Sequence, residues 1–405
     1  MGRLHGRGAG LIRASAAKRS PHPLAEPSRR LLVVQSTPYC NLDCSYCYLA
    51  DRANSERMEL DVFERSLRWF YEEGLGKIPF TLLWHAGEPL AVPVDFYDAA
   101  SESIERLSSL GSRPRIAVQT NGTLVSAEFC RLFGRDNWKV GVSIDGPQQW
   151  HDARRINRAG AGTYAKTMAG IERLREHGVA FSVISVVTES TMADPDALYD
   201  WYVAHGIRSV AFNPEETDGI HRAAHAHPEA LRNAYKAFLR RFMDRVVGDG
   251  GLVQVREFNH GLRNLRRWNA RSPLNQQSTP WAITSIDHRG GISTFSPELL
   301  GTTHPSGGHF VFGDVTRSSI AEIEADERYE ATWLGIRKGI ERCRSCAYFS
   351  VCGGGAPSNK LFENGTFDSA DTVHCTLTRK AVIDVLLERI ERSPEEIALL
   401  SARPS

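Results

Sequence analysis

Between residues 31 and 213 the chain alternates short apolar runs with amphipathic stretches. The runs lie at 31–35, 79–84, 115–119, 138–143, 180–187 and 208–212. The stretches between them, at 60–73, 95–109, 126–133, 163–177 and 195–204, carry apolar residues at helical spacing. The apolar runs do not alternate with polar residues, so both faces of each strand must be covered. Buried strands separated by helices predict an α/β fold: a parallel sheet with right-handed crossovers. In such a sheet chemistry gathers at the C-terminal ends of the strands. Two Arg-rich stretches, 226–247 and 256–268, read as further helices bridging to a second unit.

The eight cysteines are clustered. Three lie at 40–47, four at 343–375, and Cys130 stands alone inside an amphipathic helix pattern, where a core thiol is expected. Clusters at metal spacing in a chain of 405 residues indicate metal sites in a reducing compartment rather than disulfides. Cys40, Cys44 and Cys47 follow the first strand at C-x3-C-x2-C spacing. Three thiolates on one loop can hold three irons of a cubane and leave the fourth open to a small molecule. Zinc normally takes four ligands in paired C-x2-C units. Cys343, Cys346, Cys352 and Cys375 can complete a closed site, which from spacing alone fits zinc or an iron–sulfur cluster.

The formal net charge of +1 and the lack of any apolar run near the ~20 residues of a membrane span predict neither nucleic-acid nor membrane partners. There is no secretory h-region, and oxygen-sensitive clusters favour the cytoplasm. Residues 1–30 hold seven Lys/Arg and one acid. They read as a disordered basic arm, with steering of an acidic leader peptide as the alternative.

Motifs follow each of the first strands. Tyr46 precedes the third cysteine. Trp84-His85-Ala86-Gly87-Glu88-Pro89 follows the second strand, Gln119-Thr120-Asn121-Gly122-Thr123 the third. Ser143-Ile144-Asp145-Gly146-Pro147 and then His151-Asp152-Ala153-Arg154-Arg155 follow the fourth. With these residues the chain resembles the radical S-adenosylmethionine (radical SAM) superfamily. The resemblance implies a partial (β/α)6 TIM-type barrel over 31–225. It implies a [4Fe-4S] cluster on Cys40, Cys44 and Cys47 whose open iron binds SAM. By the same match Tyr46, Gly87, Glu88, Pro89 and Asn121 would line the SAM site. Ser143 would touch the ribose and Arg155 the carboxylate, with Arg154 as substitute if the register differs by one; an Arg fork suits a carboxylate. Ala86 departs from the family's GGEP pattern. His151 and Asp152 read as structural. The acidic turn Asn213–His221 reads as a substrate contact or a solvated loop.

The C-terminal cysteines resemble the SPASM extension of peptide-modifying members, which usually has seven cysteines and two auxiliary clusters. Here Ala356 replaces one cysteine, and two more are missing near 281–297, a stretch that keeps a β-hairpin pattern. The resemblance therefore implies one auxiliary [4Fe-4S] cluster on Cys343, Cys346, Cys352 and Cys375, with zinc as the alternative. The expected layout is a helical bridge over 226–270, a SPASM-like unit over 271–392 and a tail over 393–405. FSPELLG at 295–301, CGGGAPSNK at 352–360 and FENGTFDS at 362–369 are similar to cyclophane-forming maturases of the GrrM/OscB type. That implies a precursor-peptide substrate, an electron donor such as a flavodoxin or ferredoxin, and a C–C crosslink between an aromatic ring and a side-chain carbon. Glu298 is the base expected from the match. The alternatives are a sulfatase-type maturase that makes formylglycine, a thioether-forming or epimerising maturase, and a non-catalytic binding scaffold. Intact Gly87, Glu88, Ser143 and Arg155 disfavour the scaffold.

Overall fold

The computed structural model describes residues 29–217, 219–221, 228–267 and 275–401. The basic arm expected over 1–30 lies almost wholly outside these residues. The strands β1 (Arg30–Val34), β2 (Phe80–Trp84), β3 (Arg115–Thr120), β4 (Lys139–Ser143), β5 (Phe181–Val187) and β6 (Ser209–Pro214) pair in sequence order, all parallel. Helices α1 (Leu60–Glu72), α2 (Val94–Leu107), α3 (Ala127–Arg135), α4 (Gln148–Asp152), α5 (Tyr164–Glu176), α6 (Glu189–Met192) and α7 (Pro195–Ala204) fall between them. Local chemistry sets several starts: Ser126 caps α3, and Asp194 accepts from the Ala197 N–H ahead of Pro195 in α7.

Each strand divides its residues between two faces. Leu32, Val34, Leu82, Trp84, Val118 and Val142 point to the helices and are fully or nearly buried. Trp84 packs with its ring centroid 5.0 Å from both Phe63 and Tyr97. The alternate residues Leu83, Gln119, Ser143, Ile184 and Val186 line the concave side. Cys130 is buried in the helix layer, as a core thiol should be.

The sheet is longer than six strands. Between α8 (Pro228–Gly248) and α9 (Arg256–Leu265) the two residues of β7 (Gln254–Val255) pair in parallel with β6. The two helices expected over 226–247 and 256–268 thus form, and β7 between them adds a short strand to the barrel sheet. At the other edge the expected hairpin forms as β8 (Ile283–Ile286) and β9 (Gly291–Thr294). β8 pairs in parallel with β1, and β10 (Gly313–Asp314) closes that edge against β9. One ten-stranded sheet thus crosses the boundary expected at 271. The rest of the C-terminal segment is helical: α10 (Ile320–Glu324), α11 (Glu327–Cys343), α12 (Phe349–Cys352), α13 (Pro357–Asn364) and α14 (Val373–Cys375). A π-helical turn (Thr376–Ala381), α15 (Val382–Arg392) and α16 (Ile397–Ser401) complete it. The expected tail folds back, burying Leu400 and pairing Glu396 with Arg389. No helix among the described residues is long and apolar enough to cross a membrane.

Candidate functional site

The loop Cys40–Cys47 leaves the top of β1 and is shaped by a second segment, 154–158. Asp43 N donates to the Ile156 carbonyl at 2.8 Å and Ser45 N to that of Arg154 at 3.0 Å. Arg158 clamps the Cys40 carbonyl with two bonds of 3.0 and 2.8 Å. Burial pushes Cys40 up to about 12, with Glu88 adding to it, and Cys44 up to about 11. Without metal these thiols keep their protons, so metal binding must release them.

The three cysteines face a cavity of about 350 Å³ at the C-terminal mouth of the barrel. Tyr46, Gly87, Glu88, Asn121, Ser143 and Arg155 all line it. Pro89 does not. It opens a 3-10 turn, and its carbonyl accepts from Tyr97 Oη at 2.6 Å.

Gly87 has φ +121°, and a Cβ there would sit 2.1 Å from the Thr37 carbonyl. Only glycine lets this turn cross the cysteine loop so closely. Next to it, Ala86 has φ +67°, a left-handed backbone that costs an alanine energy. The family's missing glycine is thus felt in the backbone. Glu88 is 1% exposed, and its carboxyl ties the turn after β2 to the end of β3. Its carboxyl accepts from Leu90 N at 3.0 Å, Thr120 Oγ1 at 2.6 Å and Asn121 N at 2.8 Å. Burial outweighs these donors and pushes Glu88 up to about 7. Asn121 donates to Asn41 Oδ1 at 2.8 Å, which links the third motif to the cysteine loop.

Arg155 donates from Nε to Asp145 Oδ2 at 3.0 Å and lies 5.2 Å over the Tyr46 ring. Tyr46 Oη also donates to Asp145, and Asp145 Oδ1 accepts from Val186 N at 3.0 Å. Asp145 is the functional residue sequence reasoning missed. It stood inside a quoted motif, and its signal was an acid between a strand end and a Gly-Pro turn. The structure separates the two arginines: Arg155 enters the cavity, whereas Arg154 faces Glu215 at 3.8 Å. Ser143 accepts from Gln119 at 2.9 Å. His151 is buried against Thr163 and Asp152 accepts from Tyr164 N, both structural roles.

Three residues of this cavity, Asn213, Glu216 and Glu298, also line a second cavity of about 370 Å³ that reaches Cys352 and His374. Desolvation pushes Glu298 up; its bond with Ser296 opposes this and Glu216 adds to it. Glu216 is held below the usual carboxylate range. Its desolvation is overcome by His374 at 3.0 Å and Asn359 at 2.8 Å. The acidic turn after β6 therefore does face the site. Asp218, in the same turn, lies outside the described residues. A third cavity, about 670 Å³, shares Tyr48 and Leu49 with the first. A bond from Ile220 N to the Tyr48 carbonyl at 3.2 Å spans the wall between them.

The C-terminal cysteines sit at helix ends. Cys343 closes α11, Cys352 ends α12 and Cys375 ends α14, while Cys346 lies in the turn after α11. Gly353, Gly354 and Gly355 run through three successive positive φ values of 69°, 101° and 78°. Where a further cysteine is missing, Ala356 is 4% exposed. The adjacent Gly355 carbonyl accepts from Asn275 at 2.7 Å and Ser278 at 3.0 Å. Hydrogen-bonding side chains thus stitch the ground next to the missing thiol.

Among the described residues no three Cys, His, Asp or Glu side chains converge closely enough to hold a single metal ion. A tetrahedral zinc draws its sulfurs to about 3.8 Å from one another, given Zn–S bonds of about 2.3 Å. Both sets offer the all-thiolate ligands that an iron–sulfur cluster takes, and the four C-terminal thiols also suit zinc.

A family model described as the radical SAM superfamily matches residues 34–202. The chain is 38% identical over 368 residues to the uncharacterized protein sll1766 of Synechocystis sp., covering 90% of this chain and 92% of that one. It is 30% identical over 361 residues to the serine-type anaerobic sulfatase-maturating enzyme of Klebsiella pneumoniae, covering 86% and 85%. A solved structure of native anSMEcpe with bound AdoMet and Kp18Cys peptide superposes with a TM-score of 0.73 at 18% identity, covering 91% and 99%. At that identity the likeness concerns the fold.

Proposed function

The chain belongs to the radical SAM superfamily, and from that premise we propose that it is a peptide maturase that installs a C–C crosslink. In this reading Cys40, Cys44 and Cys47 would hold a cluster that, with SAM bound, would supply a 5'-deoxyadenosyl radical to take hydrogen from a side-chain carbon. This chain's own residues do the rest. Gly87 and Glu88 bring the second strand's turn against the cysteine loop. Arg155 offers its free guanidinium edge to a carboxylate while Asp145 holds the other side. Ser143, oriented by Gln119, faces the same space. The large cavity beyond Tyr48 and Leu49 gives the flanking peptide residues room next to the reacting one.

The carbon radical adds to an aromatic ring of the same peptide. Loss of one electron and one proton then restores the ring. Glu298 is the proposed proton acceptor, on the wall between the two cavities. Cys343, Cys346, Cys352 and Cys375 would hold one auxiliary cluster, which supplies an electron acceptor.

The observation that carries this reading is the reduced thiol set. The hairpin β8–β9 and Ala356 offer no thiols for a first auxiliary cluster, unlike the seven-cysteine pattern of the sulfatase type. Formylglycine formation is the second reading, supported by the Klebsiella relative.

Mass spectrometry separates them. Reconstituted protein is incubated anaerobically with SAM, a reductant and an aromatic-containing candidate peptide. Crosslinking and formylglycine formation from serine each remove two hydrogens, whereas formylglycine formation from cysteine also replaces sulfur with oxygen. A crosslink suppresses fragmentation within the bridged span and does not react with a hydrazide. A hydrazide adduct with an unbroken fragment series would establish formylglycine and end the crosslink reading.

A further inference from the structure

Three consecutive side chains at the start of α13 reach in three directions. Ser358 meets Ser296 at 3.2 Å, and Asn359 donates to Glu216 at 2.8 Å. Lys360 turns toward the cysteine site. It is 3% exposed, and its Nζ donates to the Gly339 carbonyl at 3.0 Å and to Cys343 Sγ at 3.4 Å. None of the ion pairs among the described residues includes it. Asp368, whose carboxyl feels its charge, is held by Arg342. A buried ammonium with no counter-charge is costly to keep. The fold nevertheless makes room for it. A Cβ on Gly339, inside α11, would stand 3.1 Å from Lys360 Nζ and 2.2 Å from the Phe367 carbonyl. Glycine is a poor helix former, so its place there marks a close approach.

We propose that Lys360 is the built-in counter-cation of the Cys343–Cys346–Cys352–Cys375 site and raises its reduction potential. Four thiolates give a bound iron–sulfur cluster a net negative charge, and reduction adds one more. A fixed positive charge donating an N–H···S bond to one ligand favours the reduced form. The inference rests on the auxiliary-cluster reading above. It also marks an asymmetry. At the other cysteine loop, Arg155 and Arg52, whose charges act on Cys44, are engaged by Asp145 and Asp43, and Arg158 donates to the Cys40 carbonyl rather than to a sulfur. Lys360 is a positioning residue. With Asn359 on Glu216, its helix start touches both the cluster ligands and the wall of the reaction cavity.

The test is an anaerobic redox titration read by electron paramagnetic resonance. It uses the full chain bearing Cys40→Ala/Cys44→Ala/Cys47→Ala, so that only the second site contributes. Lys360→Met should keep its iron but, at the parent's midpoint, show a reduced-to-oxidised ratio at least tenfold lower, which is about 59 mV for one electron. Lys360→Arg, which keeps the charge, should stay within threefold of the parent. An unchanged midpoint in Lys360→Met overturns the proposal, as does an Arg variant shifted as far as the Met variant. If Lys360→Met loses iron and Lys360→Arg keeps it, the need for the cation is upheld; loss in both assigns Lys360 to packing. A parent with zinc or no metal at the four thiols fails at the earlier step, the auxiliary-cluster reading itself.

Discussion

The two cysteine sites use one ligand type in opposite surroundings. The loop Cys40–Cys47 has no regular structure and borrows its shape from backbone bonds to 154–158. It opens on a cavity ringed by Gly87, Glu88, Asn121, Ser143 and Arg155. The C-terminal thiols are presented by the ends of three helices and the turn after α11, packed through a triple-glycine turn and touched by a buried lysine. Three ligands beside an open cavity suit a site where a small molecule must bind. Four ligands among helices suit one that only exchanges electrons. In the proposed reading it is ligand number, rather than thiol chemistry, that separates a reaction centre from a relay.

The sharpest way to break this comparison is to remove each site in turn. Cys40→Ala/Cys44→Ala/Cys47→Ala should abolish reductive SAM cleavage, followed as 5'-deoxyadenosine by chromatography. Cys343→Ala/Cys375→Ala should leave that cleavage measurable while ending peptide product. Equal loss in both would mean the two sites are not functionally distinct.

The next largest effect belongs to the open site's polar frame. Asp145→Ala leaves the buried Arg155 and Tyr46 without their shared acceptor. Breaking a buried ion pair this way costs about 3–5 kcal/mol, readable as a lower urea midpoint. SAM affinity should fall with it. A loss under about 1 kcal/mol would show that the frame does not depend on the pair.

Glu88 gives a smaller, pH-dependent effect. Burial lifts its carboxyl from the ordinary 4.5 to about 7. The neutral form is therefore favoured by folding. Its stabilisation is full below the unfolded value and is lost as pH rises toward 7. A shift of this size is worth on the order of 3 kcal/mol. Urea unfolding of the iron-free protein between pH 5 and 8 should show that decline, and Glu88→Gln should flatten it. Parallel pH curves for the two would contradict the burial argument.

Ala86→Gly is the smallest. Relief of the left-handed alanine, less the extra chain entropy of glycine, should stabilise by about 0.5–1 kcal/mol. A destabilised variant would mean that the Ala86 methyl, 1% exposed in the structure, packs better than its backbone suffers.

Much of this was legible in the sequence because it is local. The six parallel strands appear within a residue or two of their apolar runs, and α3 and α7 carry their caps on their own N-terminal residues. The residues expected around SAM, Pro89 excepted, gather because each lies at or beyond a strand end, and parallel strands bring those ends to one rim. What stayed hidden depends on distant pairing. β7 is two residues long, too short for any periodicity. The pairing of β8 with β1 joins residues some 250 positions apart in a register no local pattern encodes. The clamp of Arg158 on Cys40 links loops 118 positions apart. Asp145 carried no mark of its three partners, and Lys360 read as an ordinary lysine until Gly339 was seen to make room for it.

The most direct measurement is anaerobic iron and sulfide content after reconstitution, for the wild type and for each set of cysteine substitutions. The account predicts about eight irons in the wild type and about four in either variant, one cubane at each site. About twelve irons in the wild type, or about four with zinc at the C-terminal thiols, would contradict it.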